Sequence, residues 1–148
     1  MRIEGVAVVT GGASGIGEAC SRDLAARGAR VVVLGRDIAK AQRLAGEIGG
    51  RAYAADVSDE SALETLAAVI EQEVGPVAIL VNSAGVLQRP VRPGDLPMSV
   101  YDEVMRIDLR GVYVACRAFG RGMVARRAGA IVNIASIAGM RSVPQHAY

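Results

Sequence analysis

A chain of 148 residues with 51% hydrophobic side chains, 3% aromatics and a formal net charge of +2 fits one domain built on a large aliphatic core. No apolar run approaches the ~18 residues of a membrane span, and the arginines are scattered rather than gathered into the basic patch that nucleic acid requires. Cys20 and Cys116 lie far apart without metal-ligand spacing, so reduced, half-buried thiols are expected and a metal site is not. The N-terminus enters its first apolar run at once. That leaves no room for a signal or transit segment, and the cytoplasm is the expected location.

The apolar, β-branched run at residues 6–9 reads as a first strand. A helix follows over 16–27, with Gly28 placed to end it. Residues 31–34 form the second strand, and Asp37 caps a helix running to about Ile48, stopped by Gly49 and Gly50. Residues 52–55 are a weaker third strand. Ser58 is the expected N-cap of the next helix, with Asp59 and Glu60 at its positive end, and that helix ends near Val74. A fourth strand spans 77–81, and a loop follows over 87–97. Ser99 is the expected cap of a long helix to Val124, and 130–135 is a fifth strand before a loop containing Gly139 and Pro144. Strands alternating with helices indicate βαβ units. With right-handed crossovers, the layout is an α/β, doubly wound parallel sheet in the order 3-2-1-4-5, one domain over residues 1–148. The crevice where the order reverses lies beside Thr10 and Asn82.

The stretch VVTGGASGIG joins the first strand to the first helix. Glycines there admit positive φ and let backbone amides approach a ligand. The helix start adds unpaired donors that suit a diphosphate, and the Ser14 hydroxyl can join them. Gly12 and Gly17 have P-loop separation, but Glu18 stands where the lysine belongs, and a carboxylate there repels phosphate. The G-x-G-x-x-G dinucleotide pattern also fails, because Cys20 takes the last small position. What remains is T-G-x-x-x-G-x-G, from Thr10 to Gly17. The alternative is a tight turn that binds nothing.

This pattern resembles the cofactor turn of the short-chain dehydrogenase/reductase family, whose fold is Rossmann-like. Further similar motifs follow in order: AADV ending in Asp56 and Val57, NSAG with Asn82, Ala84 and Gly85, IVNIAS ending in Ser136, and Tyr148. The resemblance implies a nicotinamide cofactor held by Thr10, Gly11, Ser14, Gly15, Ile16 and Gly17. It implies that Asp56 and Val57 meet the adenine, and that Asn82, Ala84 and Gly85 hold the fourth strand and the cofactor. At the end of the second strand, Gly35 replaces the acidic residue of NAD-type members, and Arg36 can pair with a 2′-phosphate. NADP is favoured and NAD is the alternative, since the second basic residue common inside the glycine turn is absent. Asp37 reads as a helix cap rather than a ribose contact.

The implied reaction is hydride transfer between nicotinamide and a carbonyl or alcohol carbon of a small molecule. Tyr148 would be the acid/base and Ser136 the hydroxyl that orients the substrate oxygen. The two are one residue closer than the common family spacing. The family's Asn-Leu-x-Gly reads Asp108-Leu109-Arg110-Gly111 here, so Asp108 is either a site residue or a surface acid. His146 takes no role. The lysine expected four positions after the tyrosine, which lowers a phenol pKa of about 10, lies past the last residue of the sequence. The expectation is therefore the N-terminal part of the family pattern, lacking its last helices and strands. A catalytically inactive dinucleotide-binding protein or a non-functional remnant is the alternative. Family members form homo-oligomers, for which the helix over 99–124 is the expected interface. Residues 88–98 border the substrate pocket without selecting a substrate.

Overall fold

The computed structural model describes residues 3–141. Five strands form one sheet: β1 (Val6–Thr10), β2 (Arg30–Gly35), β3 (Arg51–Ala54), β4 (Val77–Asn82) and β5 (Ala130–Asn133). Every neighbouring pair is parallel and the order is β3-β2-β1-β4-β5, so the doubly wound, Rossmann-like layout expected from the alternating pattern is present. Tyr148 and His146, both singled out from the sequence, lie outside the described residues.

Alternation along each strand assigns its side chains to two faces, with one register shift at the start of β4, between Val77 and Ile79, that puts Val77 and Leu80 on the same face. Val6 and Val8 of β1, with Val32, Leu34, Val77 and Leu80, face helix α3 (Glu60–Glu73) and helix α5 (Val112–Arg126). Ala7 and Val9, with Val31, Val33 and Val81, face α1 (Gly15–Ala26) and α2 (Ile38–Ile48). All five residues of β1 are buried, as a central strand covered on both faces requires. Phe119, the chain's single phenylalanine, sits fully within the α3–α5 layer. A polar ladder flanks that layer: Glu60, Glu64 and Glu71 of α3 meet Arg117 and Arg126 of α5 at separations such as 2.6 Å for Arg117–Glu64 and 2.9 Å for Arg126–Glu71.

Two helix starts differ from the sequence expectation. Asp59, not Ser58, caps α3, and its Oδ1 accepts from the Ala62 amide at 3.0 Å. The Ser58 hydroxyl is already committed to Asp56, so the neighbouring carboxylate takes the cap. The long helix begins at Met98 after Pro97, with no side-chain cap, rather than at a capping Ser99. Its first part, α4 (Met98–Val104), passes into a π-helical stretch (Met105–Gly111) before α5. Gly111 closes that stretch against Val57, where a Cβ would lie 2.7 Å from Val57 Cγ2. β5 stops at Asn133, two residues short of the expected end, although the Ile134 amide still donates to Asn82 O at 2.9 Å. Asp37 caps α2 by accepting from the Lys40 amide, as its position implied. No helix among the described residues is long and apolar enough to cross a membrane.

Candidate active site

At the carboxyl ends of β1, β2 and β4 a crevice of about 590 Å³ opens. The glycine turn forms its floor. Gly11 has φ 62, and a Cβ on it would lie 2.8 Å from Ala84 Cα and N. Only glycine lets the β1 turn come this close to the segment after β4. Thr10 completes that junction: its buried Oγ1 accepts from the Ser83 and Ala84 amides, both at 3.2 Å. A Cβ on Gly17 would collide with Gly11 O, so α1 packs directly on the turn.

The ladder of α1 begins with Glu18 N donating to Ser14 O at 3.0 Å. The earlier amides of that first turn, at Gly15, Ile16 and Gly17, therefore have no intrahelical acceptor. Ser14 lines the crevice and its side chain makes no capping bond, which leaves the hydroxyl available there. The Glu18 carboxylate is drawn aside by Arg22, at 2.8 Å.

Ser21 was not anticipated. Its buried Oγ reaches both Gly12 O, at 3.1 Å, and Gly17 O, at 3.0 Å, pinning the turn onto the helix. The available signal was a serine one helical turn after Gly17, placed to bond back to its carbonyl.

Along the wall from β2, Gly35 leaves open space: a Cβ there would meet nothing within 4 Å. Arg36 and Lys40 both line this part of the crevice and are exposed. Lys40 was also missed. Asp37 lies between them in sequence, caps α2 and stands 3.8 Å from Lys40 Nζ. Asp56 and Val57 line the next part of the wall. Asp56 Oδ1 accepts from Ser58 Oγ at 2.7 Å and from Ser58 N at 2.9 Å. The Ser58 hydroxyl first and its amide second hold the Asp56 carboxyl below the usual carboxylate range, helped by the charges of Arg106 and Arg36.

Ala84 and Gly85 line the opposite wall. Asn82 is buried behind them and faces β5: Nδ2 donates to Asn133 Oδ1 at 2.8 Å and to Cys116 Sγ at 3.3 Å. Asp108 lies partly buried beneath the same loop, where Oδ1 accepts from the Val86 amide at 2.9 Å. Burial pushes its carboxyl above the ordinary range, against the opposing pull of that bond. Ser136, just past β5, is exposed, and its Oγ accepts from the Ala138 amide at 3.1 Å. The crevice thus brings together Gly11, Ser14, Arg36, Asp56, Val57, Ala84 and Gly85, with Thr10, Gly17 and Asn82 as supports and Gly15, Ile16 and Ser136 outside its lining.

Comparison with known proteins places this architecture. Galactitol 2-dehydrogenase (L-tagatose-forming) of Cereibacter sphaeroides is 44% identical over 144 residues, covering 93% of this chain and 55% of that protein. A solved structure described as ribose-5-phosphate isomerase from Brucella melitensis 16M is 50% identical with a TM-score of 0.93, covering 97% of this chain and 56% of the other. A gluconate 5-dehydrogenase from Burkholderia cenocepacia J2315, in complex with NADP and tartrate, is 31% identical with a TM-score of 0.92, covering 97% and 58%. The chain spans just over half the length of these relatives. The short chain dehydrogenase family pattern matches residues 5–148, and with the parallel sheet and glycine turn in place the chain belongs to that family.

Proposed function

We propose that the chain is the dinucleotide-binding part of an NADP-dependent oxidoreductase, acting on a small polyhydroxylated alcohol or the matching carbonyl compound. The observation that carries this reading is the shared crevice. Ser14 at the start of α1, an open β2 end with two cations, and Asp56 all line one cavity, and the first-turn amides of α1 follow directly on Ser14. These features fit the parts of a dinucleotide. The amides of Gly15, Ile16 and Gly17 with the Ser14 hydroxyl hold the diphosphate. Arg36 and Lys40 meet a 2′-phosphate in the space that Gly35 leaves. Asp56 and Val57 border the base, while Ala84 and Gly85 form the wall along the rest of the cofactor. Thr10 and Asn82 hold the strand ends that shape that wall.

The nicotinamide, when bound, supplies or accepts a hydride. The chain's own residues handle the substrate oxygen and its proton. Tyr148 Oη gives or takes the proton, and Ser136 Oγ fixes the oxygen. Asp108 keeps the Val86 segment in place through its amide. The dehydrogenase relatives act on galactitol and gluconate, both polyhydroxylated, which supports that substrate class. The isomerase name of the third relative has no counterpart in this reading, because isomerising a pentose phosphate needs no dinucleotide-sized crevice. Leu109, Tyr113 and Val124 are exposed on the long helix, which supports a second copy of the protein docking there.

Titration of the protein with NADPH and NADH tests the reading. Saturable binding with tighter NADPH is the expected result. No saturable change with either would overturn it.

A further inference from the structure

Arg106, Ile107 and Asp108 are consecutive in the π-helical stretch, and they serve three parts of the crevice. Ile107 lines it, and Asp108 accepts from the Val86 amide. Arg106 reaches the loop after β3. Its Nη1 donates to Ser58 Oγ and stands 3.8 Å from Asp56 Oδ2. Ser58 in turn directs both its amide and its hydroxyl at Asp56 Oδ1, and its carbonyl accepts from Arg110 Nη1 at 2.7 Å. One carboxylate oxygen is therefore held by Ser58 and the other faces Arg106, while the Asp56 side chain stays 41% exposed on the wall of the crevice.

An ion pair this exposed adds little to folding stability, so its consequence is orientation. We propose that Ser58 and Arg106 are positioning residues that aim the Asp56 carboxylate at the base of the bound dinucleotide, so that a base with an exocyclic amine is selected over one with a carbonyl. The inference rests on the dinucleotide reading of the crevice. An ionised carboxylate only accepts hydrogen bonds. An amine at the 6-position of the purine donates to it, whereas a 6-oxo group presents lone pairs and is repelled. Arg36 lines the same crevice and also acts electrostatically on Asp56. Without Arg106, the carboxylate is free to turn toward Arg36 and away from the base.

The test compares NADPH with its hypoxanthine counterpart by fluorescence titration, in the wild type and in Arg106→Met, Ser58→Ala and Arg106→Lys. The wild type should prefer adenine by about tenfold or more. That preference should shrink to within about threefold in Arg106→Met and Ser58→Ala, and recover in part in Arg106→Lys. Reduced nicotinamide mononucleotide, which lacks the purine, should bind all four proteins alike. Variants that keep the wild-type preference, a wild type without one, or a parallel loss of mononucleotide binding would overturn the inference and leave the crevice reading standing. A wild type that binds neither dinucleotide would overturn both.

Discussion

Gly35 leaves the end of β2 bare, and in the proposed reading the cations beside it, Arg36 and Lys40, meet the 2′-phosphate of the cofactor. Arg36 was legible because it directly follows the strand. Lys40 was not, because it lies inside the first turn of α2, four residues past Arg36, with no sign in the sequence that it faces the crevice. Charge-assisted bonds to a 2′-phosphate are worth about 1.5–3 kcal/mol each before solvent screening. Arg36→Ala and Lys40→Ala should each weaken NADPH binding by about tenfold. NADH, which lacks the phosphate, should change less than about twofold in the same calorimetric titration. Asp108 carries a pH signature. Its folded pKa lies above the unfolded value, so its contribution to stability is present at acid pH and is lost as pH rises through the folded pKa. Asp108→Asn keeps an oxygen acceptor for the Val86 amide and removes the desolvated charge. The variant should melt at a higher temperature than wild type at pH 7, by a few degrees, and the gap should narrow toward pH 4. A gap that widens on acidification would contradict the assignment.

At the scale of the element, the helix ends were readable where one side chain had one task. Asp37 caps α2 through Oδ1, with only the nearby Lys40 ammonium beside its other oxygen, and Gly49 ends the helix in the left-handed region. Ser58 was misread because Asp56 claims it, a contact set by the loop rather than by a cap pattern. The π-helical stretch leaves no mark on hydrophobic spacing, yet it sets where Arg106, Ile107 and Asp108 point. Gly111 makes this testable. Glycine to alanine in a helix normally stabilises by about 1 kcal/mol. Here the added Cβ meets Val57 Cγ2, and overpacking of about 1–3 kcal/mol opposes that gain. Gly111→Ala should therefore lower the urea midpoint. An increase would show that the helix and the β3–α3 loop separate easily.

Across the whole molecule, the strand order followed from alternation and crossover handedness, and the crevice followed from the strand order. The β5 side is an open edge of the sheet. Ile131 and Val132 of this strand are 40% and 47% exposed, and Ile134, Tyr113 and Val124 are open nearby. An apolar sheet edge of this kind pairs readily with other chains. Residues 1–148 expressed as a separate polypeptide should bind hydrophobic dyes and self-associate. A sharp, concentration-independent melting transition of a monomer would contradict that. In the proposed reading the first-turn amides of α1 grip the diphosphate of a dinucleotide, and a crystal structure with NADPH checks this. Diphosphate density against the amides of Gly15, Ile16 and Gly17 is expected, whereas a cofactor bound elsewhere, or a turn filled by a protein side chain, would contradict it.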